Sequence, residues 1–189
     1  MAEFFSELTE SHKNALETAP VFFVATAPSE GRINLSPKGM DSLRVLSPSQ
    51  IAYLDLTGSG NETAAHLMEN ERITLMVCSF TRTALILRVY GKAKNVQPGD
   101  EEWDALLAHF PAMAGTRQIF VIDIESVQTS CGYAVPQMEM VAERQTLLKW
   151  AKGQSDEGLA EYRSRKNMVS IDGRPTGLYS PLNQKEETQ

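Results

Sequence analysis

The sequence has few of the residues that metal sites and disulfide frameworks need. Only two cysteines and three histidines occur in 189 residues. Cys78 and Cys131 lie far apart and form no CxxC pair, so we expect two free thiols. His12, His66 and His109 each fall on a predicted helix without a second ligand at metal spacing. We therefore expect structural or surface histidines and no metal site.

Long apolar runs and excess positive charge are also lacking. The longest apolar runs, such as Val21–Ala25, are far shorter than a membrane span, and no secretory signal is predicted, so we expect a cytoplasmic protein without a membrane partner. Eighteen basic residues stand against twenty-four acidic ones, a net charge of −6, which argues against a nucleic-acid partner. A hydrophobic fraction of 42% is ordinary for a globular protein.

Motifs of several enzyme classes are missing as well. No segment matches GxGxxG, GxxxxGK[ST] or GxSxG, so Rossmann, P-loop and serine-hydrolase chemistry have no support. No acid–base residue is marked by its spacing, and the catalytic residues stay unassigned.

The patterns that are present predict a mainly β protein. Runs of β-branched, aromatic and alternating residues predict six strands: Val21–Ala27, Arg32–Pro37, Gln50–Leu56, Arg72–Phe80, Ala84–Val96 and Gln118–Val127. Helical spacing predicts five helices: residues 6–18, with Ser6 or Thr9 as the cap, 61–70, 99–110, 141–152 and 157–166. Most gaps between strands are too short for crossover helices, which favours an antiparallel β-barrel of the α+β class.

After Gly132 the sequence pattern changes from one typical of strands to one typical of helices. We predict a barrel domain over residues 1–132 and, over 133–189, a helical C-terminal appendage packed on the barrel. The last ten residues are polar, and we expect them to be frayed.

A glycine-rich segment between a strand and a helix is the first candidate site. Residues 57–63 (Thr-Gly-Ser-Gly-Asn-Glu-Thr) let a ligand approach the backbone, and the first turn of the helix offers free N–H groups to an anion. Ser59, Asn61 and Thr63 add side-chain donors. The alternative is that Asn61 simply caps the helix.

Two of the predicted strands contain polar or charged residues that are candidates for ligand binding. Alternation puts Asn34, Ser36 and Lys38 on one face, either as ligand groups inside a barrel or as the exposed side of an edge strand. Arg88 interrupts an apolar strand and needs a partner, which is either a carboxylate or a ligand phosphate.

Three segments in this order, Ile33–Gly39, Thr57–Met76 and Leu87–Ala93, resemble the pyridoxamine 5'-phosphate oxidase-like FMN-binding split barrels. The resemblance covers roughly residues 15–130. It implies a six-stranded split barrel and a homodimer whose interface holds two FMN molecules. It also implies that the FMN phosphate is held by Ser36, Lys38, Ser59, Asn61, Thr63 and Arg88, with Asn34 nearer the isoalloxazine ring.

The chain departs from that family's pattern in two places. Many members carry Ser-Arg-Lys where this chain has residues 61–63 (Asn-Glu-Thr), so the phosphate charge must be balanced by Lys38, Arg88 and the helix dipole, or by Arg82. The C-terminus is helical in pattern and ends in Arg174–Tyr179, unlike the substrate-binding strand of the true pyridoxamine phosphate oxidases, whose activity is therefore not implied.

The resulting expectation is an FMN-dependent oxidoreductase that acts on a small-molecule redox substrate. The alternatives are a split barrel that binds deazaflavin or haem, and a flavin-binding dimer without turnover.

Overall fold

A computed structural model describes residues 2–179 of the chain. It contains one antiparallel sheet of eight strands. The strands are β1 (Glu3–Phe5), β2 (Phe22–Thr26), β3 (Asn34–Lys38), β4 (Leu43–Ser47), β5 (Gln50–Leu56), β6 (Arg72–Cys78), β7 (Ile86–Val96) and β8 (Thr116–Ser130). All six predicted strands are present, and the short strands β1 and β4 are additional to them.

Five helices accompany the sheet: α1 (Glu10–Glu17), α2 (Glu62–Glu69), α3 (Trp103–Leu107), α4 (Thr146–Lys152) and α5 (Asp156–Lys166). The first helix begins where Thr9 caps it, because the Thr9 side chain accepts a hydrogen bond from the backbone N–H of His12. Two predicted helices were too long. Residues 99–110 shorten to α3. The predicted helix over 141–152 begins only at Thr146, and residues 141–145 are exposed and bury no apolar face that would stabilise a helix.

The sheet curls into an open barrel, which confirms the predicted fold class. The strand order is β3-β2-β6-β7-β8-β5-β4, with β1 paired to β8. Strands β3 and β4 are the two ends of this path and do not pair with each other. An ion pair nevertheless crosses the opening, because Lys38 of β3 lies 2.8 Å from Asp55 of β5 (Nζ to Oδ1). The barrel is therefore split, and polar side chains meet at the split.

The apolar core lies inside the curled sheet. Long central strands fill it because their alternate residues point inward, and Leu75, Leu87, Val89 and Ile122 are fully buried there. A second, smaller cluster around Leu54 and Ile119 packs under α3. The packed core thus fixes the positions of the strands that carry the polar residues of the split.

The chain after β8 first runs without regular structure and then forms α4 and α5. Residues 167–178 follow as a short turn segment, closed by a bridge between Val169 and Pro175. The boundary at residue 132 and the status of 133–189 as one appendage stay predictions, and the expected fraying of Ser180–Gln189 concerns residues outside 2–179. Cys78 and Cys131 are both free, and none of the five helices is long and apolar enough to cross a membrane.

Candidate functional site

The polar row of β3 faces the inside of the split barrel. Asn34 donates through Nδ2 to Thr26 Oγ1 at 3.2 Å and to Thr63 Oγ1 at 3.1 Å. On the opposite face of β3, Leu35 is 66% exposed, and Ile33, directly before the strand, is 76% exposed. The strand thus presents polar groups to the interior and apolar groups to solvent, which reverses the usual arrangement of an edge strand.

The glycine-rich loop leads from β5 into α2, as predicted, but Asn61 does not cap the helix with its side chain. Its Oδ1 accepts from Gln118 Nε2 at 2.7 Å, and its Nδ2 donates to the backbone carbonyl of Asn167 at 3.3 Å. The capping interpretation of Asn61 is therefore wrong. The first turn of α2 keeps backbone N–H groups without a side-chain acceptor.

Strand β3 and the loop enclose one cavity of about 220 Å³, which we call the β3–loop cavity. Six of the seven residues predicted to bind the cofactor line it: Asn34, Ser36, Lys38, Ser59, Asn61 and Thr63. A Cβ atom built on Gly58 or Gly60 would meet no other atom closer than 3.9 Å. The two glycines therefore leave room beside the loop that no protein atom fills.

The seventh residue, Arg88, does not line this cavity. It lies on β7 beside Met76 and Gln128, and its Nη1 donates to Ser130 Oγ at 3.3 Å. No carboxylate within residues 2–179 forms an ion pair with it. Within one copy of the chain, Arg88 is therefore apart from the other six residues, and its role in cofactor binding stays a prediction.

A buried carboxylate that the sequence analysis missed lies beside the cavity. Asp55 is 2% exposed and accepts hydrogen bonds from three side chains. Lys38 binds Oδ1 at 2.8 Å, while Arg117, through Nε and Nη2, and Gln118 all bind Oδ2 at 3.0 Å or less. Burial alone would raise the pKa of Asp55, but the charges and hydrogen bonds of Lys38 and Arg117 outweigh burial and hold that pKa well below its usual range.

The cations around Asp55 also shape the loop. Arg117 is 3% exposed and donates through Nη1 to the carbonyl of Gly60 at 3.0 Å. Arg163 is a third cation in this region. Its burial lowers its pKa, and the positive charge of nearby Arg117 lowers it further. The charged side chains that line the cavity are two cations (Lys38 and Arg117) and two carboxylates (Asp55 and Glu62). Their charges balance, so the attraction for an anion comes from the free donors of Lys38 and from the backbone N–H groups at the start of α2.

The residues that were missed carried a signal in the sequence. Asp55 interrupts the apolar strand Ile51–Leu56, and Arg117 lies two positions before the apolar run Ile119–Ile122. A charge within or next to an apolar strand needs a partner, and this is as true of Asp55 and Arg117 as it is of Arg88. Their pairing depends on strand register, because Asp55 lies opposite Gln118 across β5 and β8.

No histidine lines the β3–loop cavity. His12 is 5% exposed and belongs to the cap of α1, while His66 is 1% exposed and lies 3.0 Å from Thr26 (Nδ1 to Oγ1). Throughout the described part of the chain, no group of three or more His, Cys, Asp or Glu side chains is arranged to hold a metal ion.

Comparisons with known proteins agree with this architecture. The family model of pyridoxamine 5'-phosphate oxidase matches residues 8–131. The pyridoxamine 5'-phosphate oxidase family protein ustO of Aspergillus flavus is 37% identical over 205 residues, which cover 99% of this chain and 82% of that protein.

Solved structures show the same fold at lower identity. HupZ of Group A Streptococcus is 21% identical with a TM-score of 0.52, over 64% of this chain and 91% of that one. A Lactobacillus delbrueckii protein named after pyridoxamine 5'-phosphate oxidase is 23% identical with a TM-score of 0.53, over 65% of this chain and 94% of that one. With the family model matched over more than half of its length and a relative matched over nearly all of it, the chain belongs to the pyridoxamine 5'-phosphate oxidase family.

Proposed function

We propose that this protein binds FMN with the phosphate in the β3–loop cavity and works as an FMN-dependent oxidoreductase on a small-molecule substrate. One observation carries the proposal. Two segments that are distant in sequence, the polar row of β3 and the glycine-rich loop, converge on one cavity at an uncapped helix start. Membership of the pyridoxamine 5'-phosphate oxidase family adds independent support.

The groups at the cavity fit a phosphate in type. Lys38 uses one of its three N–H donors on Asp55 and keeps two for a ligand. Ser36, Ser59 and Thr63 bring hydroxyl groups, and the first turn of α2 brings backbone N–H groups and the positive end of a helix dipole. Asp55 does not repel the ligand strongly, because Lys38 and Arg117 neutralise it.

The size of the cavity determines which part of FMN it holds. About 220 Å³ is less than the roughly 300–1,000 Å³ of pockets that enclose whole drug-sized ligands. The proposal therefore puts the FMN phosphate and the adjoining part of the FMN side chain inside the cavity, near Lys38 and Ser59. It puts the ring system of FMN at the mouth of the cavity, on the side of Asn34. When bound, FMN would supply hydride or electron transfer between a reductant and an organic acceptor or oxygen.

A ring system at the mouth needs a cover, and we propose that a second copy of the chain provides it. Strand β3 is an end of the sheet with unpaired backbone groups, and it exposes Ile33 and Leu35. An exposed apolar edge strand invites pairing with another chain. The proposed homodimer would bury this edge, and light scattering at micromolar concentration checks it, with a dimer expected and a flavin-loaded monomer as the contrary result.

The absorption spectrum of the purified protein tests the cofactor. We expect a flavin spectrum, and mass spectrometry of the released molecule should give FMN. A Soret band would identify haem, and a deazaflavin spectrum would identify that cofactor; either result would replace FMN in this account. Bleaching of the bound flavin by NADH or NADPH, followed by reoxidation with an acceptor, distinguishes an enzyme from a flavin carrier.

A titration with FMN and riboflavin tests the phosphate site. Lys38→Ala should weaken FMN about tenfold to a hundredfold and leave riboflavin, which lacks the phosphate, nearly unchanged. Lys94→Ala is the control, since Lys94 pairs with Glu102 on the surface. Arg88→Ala completes the set. A loss confined to FMN would show that a second copy supplies Arg88 to the site, and an unchanged ratio would remove Arg88 from it.

A further inference from the structure

Two side chains of the C-terminal region bind the glycine-rich loop or the strand next to it. Arg163 and Asn167 lie four positions apart at the end of α5 and therefore share a helix face. Arg163 donates through Nε to Thr57 Oγ1 at 2.9 Å and through Nη2 to the carbonyl of Thr116 at 2.8 Å. The start of the loop is thus fixed to β8 through a residue that lies outside the barrel.

Asn167 holds the same loop at two points. Its Nδ2 donates to the carbonyl of Gly58 at 2.9 Å, and its backbone carbonyl accepts from Asn61 Nδ2 at 3.3 Å. Thr176 Oγ1 donates to the same carbonyl at 2.7 Å. Asn167 is 0% exposed, so water does not compete for these hydrogen bonds.

These contacts explain why Asn61 leaves the helix start open. An asparagine at this position ordinarily bonds the backbone N–H groups of the first helical turn. Here its amide is held between Gln118 and Asn167 instead. The N–H groups of the first turn of α2, at the wall of the β3–loop cavity, are therefore not occupied by the protein's own cap.

We propose that Asn167 is a positioning residue for the phosphate of the bound cofactor, and this inference rests on the proposed function. The Asn167 side chain keeps the Gly58 carbonyl turned toward α5, and the Asn167 backbone carbonyl keeps the Asn61 side chain away from the helix start. A change of side chain at position 167 removes the first contact directly and acts on the second through the loop that the first contact holds. The α2 amides are thus left for an anion. The C-terminal region is accordingly part of the cofactor site, although none of its residues was predicted to be.

A merely structural role for Asn167 predicts a different result. If Asn167 only attached α5 to the barrel, its loss would weaken FMN and riboflavin together. If it positions the loop, its loss affects the phosphate alone. The ratio of the FMN to the riboflavin dissociation constant separates the two roles.

The experiment uses two variants of the full chain. Asn167→Leu keeps the branched shape of the side chain and removes its donor. Asn167→Ser is too short to reach Gly58 and covers the case in which the leucine variant does not fold. Ser170→Ala is the matched control. Ser170 is also buried, and its side chain accepts from the backbone N–H of Asp172 and of Arg174, whereas the Asn167 side chain bonds the loop at Gly58. Both titrations are followed by flavin fluorescence, and amide exchange is measured on the flavin-free proteins.

We expect the Asn167 variants to weaken FMN about tenfold, with riboflavin within about twofold of wild type, because one hydrogen bond of about 1.4 kcal/mol corresponds to that factor. The amides of residues 58–63 should exchange faster in these variants and not in Ser170→Ala. Equal weakening of both flavins, or the same ratio as in Ser170→Ala, would overturn the inference.

If wild-type protein binds neither flavin, the proposed function fails and the amide exchange alone decides whether Asn167 positions the loop. Faster exchange of residues 58–63 that is confined to the Asn167 variants would support that role, and unchanged exchange would overturn it.

Discussion

Two of the contacts between the C-terminal region and the barrel differ in burial and chemistry. At the inner contact, Arg163 and Asn167 bind the loop at Thr57, Gly58 and Asn61. At the outer contact, Asp172 and Arg174 meet the loop between β2 and β3 and the end of α2. The inner contact uses hydrogen bonds to backbone and neutral groups, while the outer contact uses ion pairs.

The outer contact is the more exposed of the two. Asp172 pairs with Arg32, whose side chain is 68% exposed, and Arg174 Nε lies 3.0 Å from Glu69 Oε2. Exposed ion pairs contribute little to stability and are screened by salt. The inner contact is continuous with the buried network of Asp55 through Asn61 and Gln118.

The difference indicates separate tasks for the two contacts. The buried hydrogen bonds of the inner contact determine the shape of the candidate site, because a misplaced buried polar group is costly. The outer contact adds attachment without reaching the cavity. Variants at the two contacts should therefore differ in the size of their effect and in their response to salt and pH.

The largest expected effect is at the centre of the network behind the inner contact. Asp55→Asn leaves Lys38 and Arg117 without their buried counter-charge, so the free energy of unfolding should fall by about 3–5 kcal/mol. Denaturant unfolding measures it. Asp123→Asn is the control, because Asp123 is an exposed carboxylate on β8 and its loss should cost little. An equal loss of unfolding free energy in both variants would show that the buried position of Asp55 is not the cause of its effect on stability.

A smaller effect is expected at the inner contact itself. Arg163→Met keeps much of the side-chain length and removes the hydrogen bonds to Thr57 and Thr116, which should cost about 1–3 kcal/mol of unfolding free energy. Arg165→Met, two positions along the same helix but exposed, should stay close to wild type. A matching loss in the Arg165 variant would mean that helix propensity, and not the loop contact, is responsible.

The outer contact should give a still smaller effect, and one that depends on salt. Arg174→Ala removes the hydrogen bonds to Glu69 and to the carbonyl of Glu30. The melting temperature should fall slightly at low ionic strength, and the difference from wild type should shrink in about 0.5 M salt, where the Debye length is only a few Å. A large loss that salt does not change would place the outer contact in the same class as the inner one.

The smallest expected difference between the two contacts is their response to acid. Hydrogen bonds from Ser29, and then from Arg174, lower the pKa of Glu69 from 4.5 to about 2, against the opposing effect of burial. Because the folded pKa lies below the unfolded one, the stabilisation is complete above about pH 4.5 and is lost as the pH falls toward 2.

The inner contact contains no carboxylate and should not respond to acid in this range. Amide exchange should therefore rise in residues 29–32 between pH 4.5 and 2, beyond the intrinsic pH dependence of exchange, before it rises in residues 58–61. The reverse order would contradict the assignment of the ion pairs to the outer contact.

Much of the barrel was predictable because its strands follow a local period. Strands β2, β5, β6, β7 and β8 carry runs of β-branched and aromatic residues, and their burial follows from alternation. Strand β1 has only three residues, and it exists because β8 is long enough to pair with it. The first five residues of the predicted helix over 141–152 did not form a helix, because local propensity without a buried apolar face does not make one.

The candidate site was predictable in part. The polar face of β3 and the loop at residues 57–63 could be recognised, because each is a local pattern. The roles of Asp55, Arg117 and Asn167 could not, because they depend on strand register and on the docking of α5, which brings residues more than a hundred positions apart into contact. Arg88 was also recognised from a local pattern, because it interrupts an apolar strand, yet the strand order separates it from Lys38 within one copy of the chain.

The most direct test of the central claim is a crystal structure of the protein with FMN bound. The account predicts that the phosphate lies in the β3–loop cavity, within hydrogen-bond reach of Lys38 Nζ, the Ser59 hydroxyl and the backbone N–H groups at the start of α2. A phosphate bound away from this cavity, with Lys38 still paired only to Asp55, would contradict it.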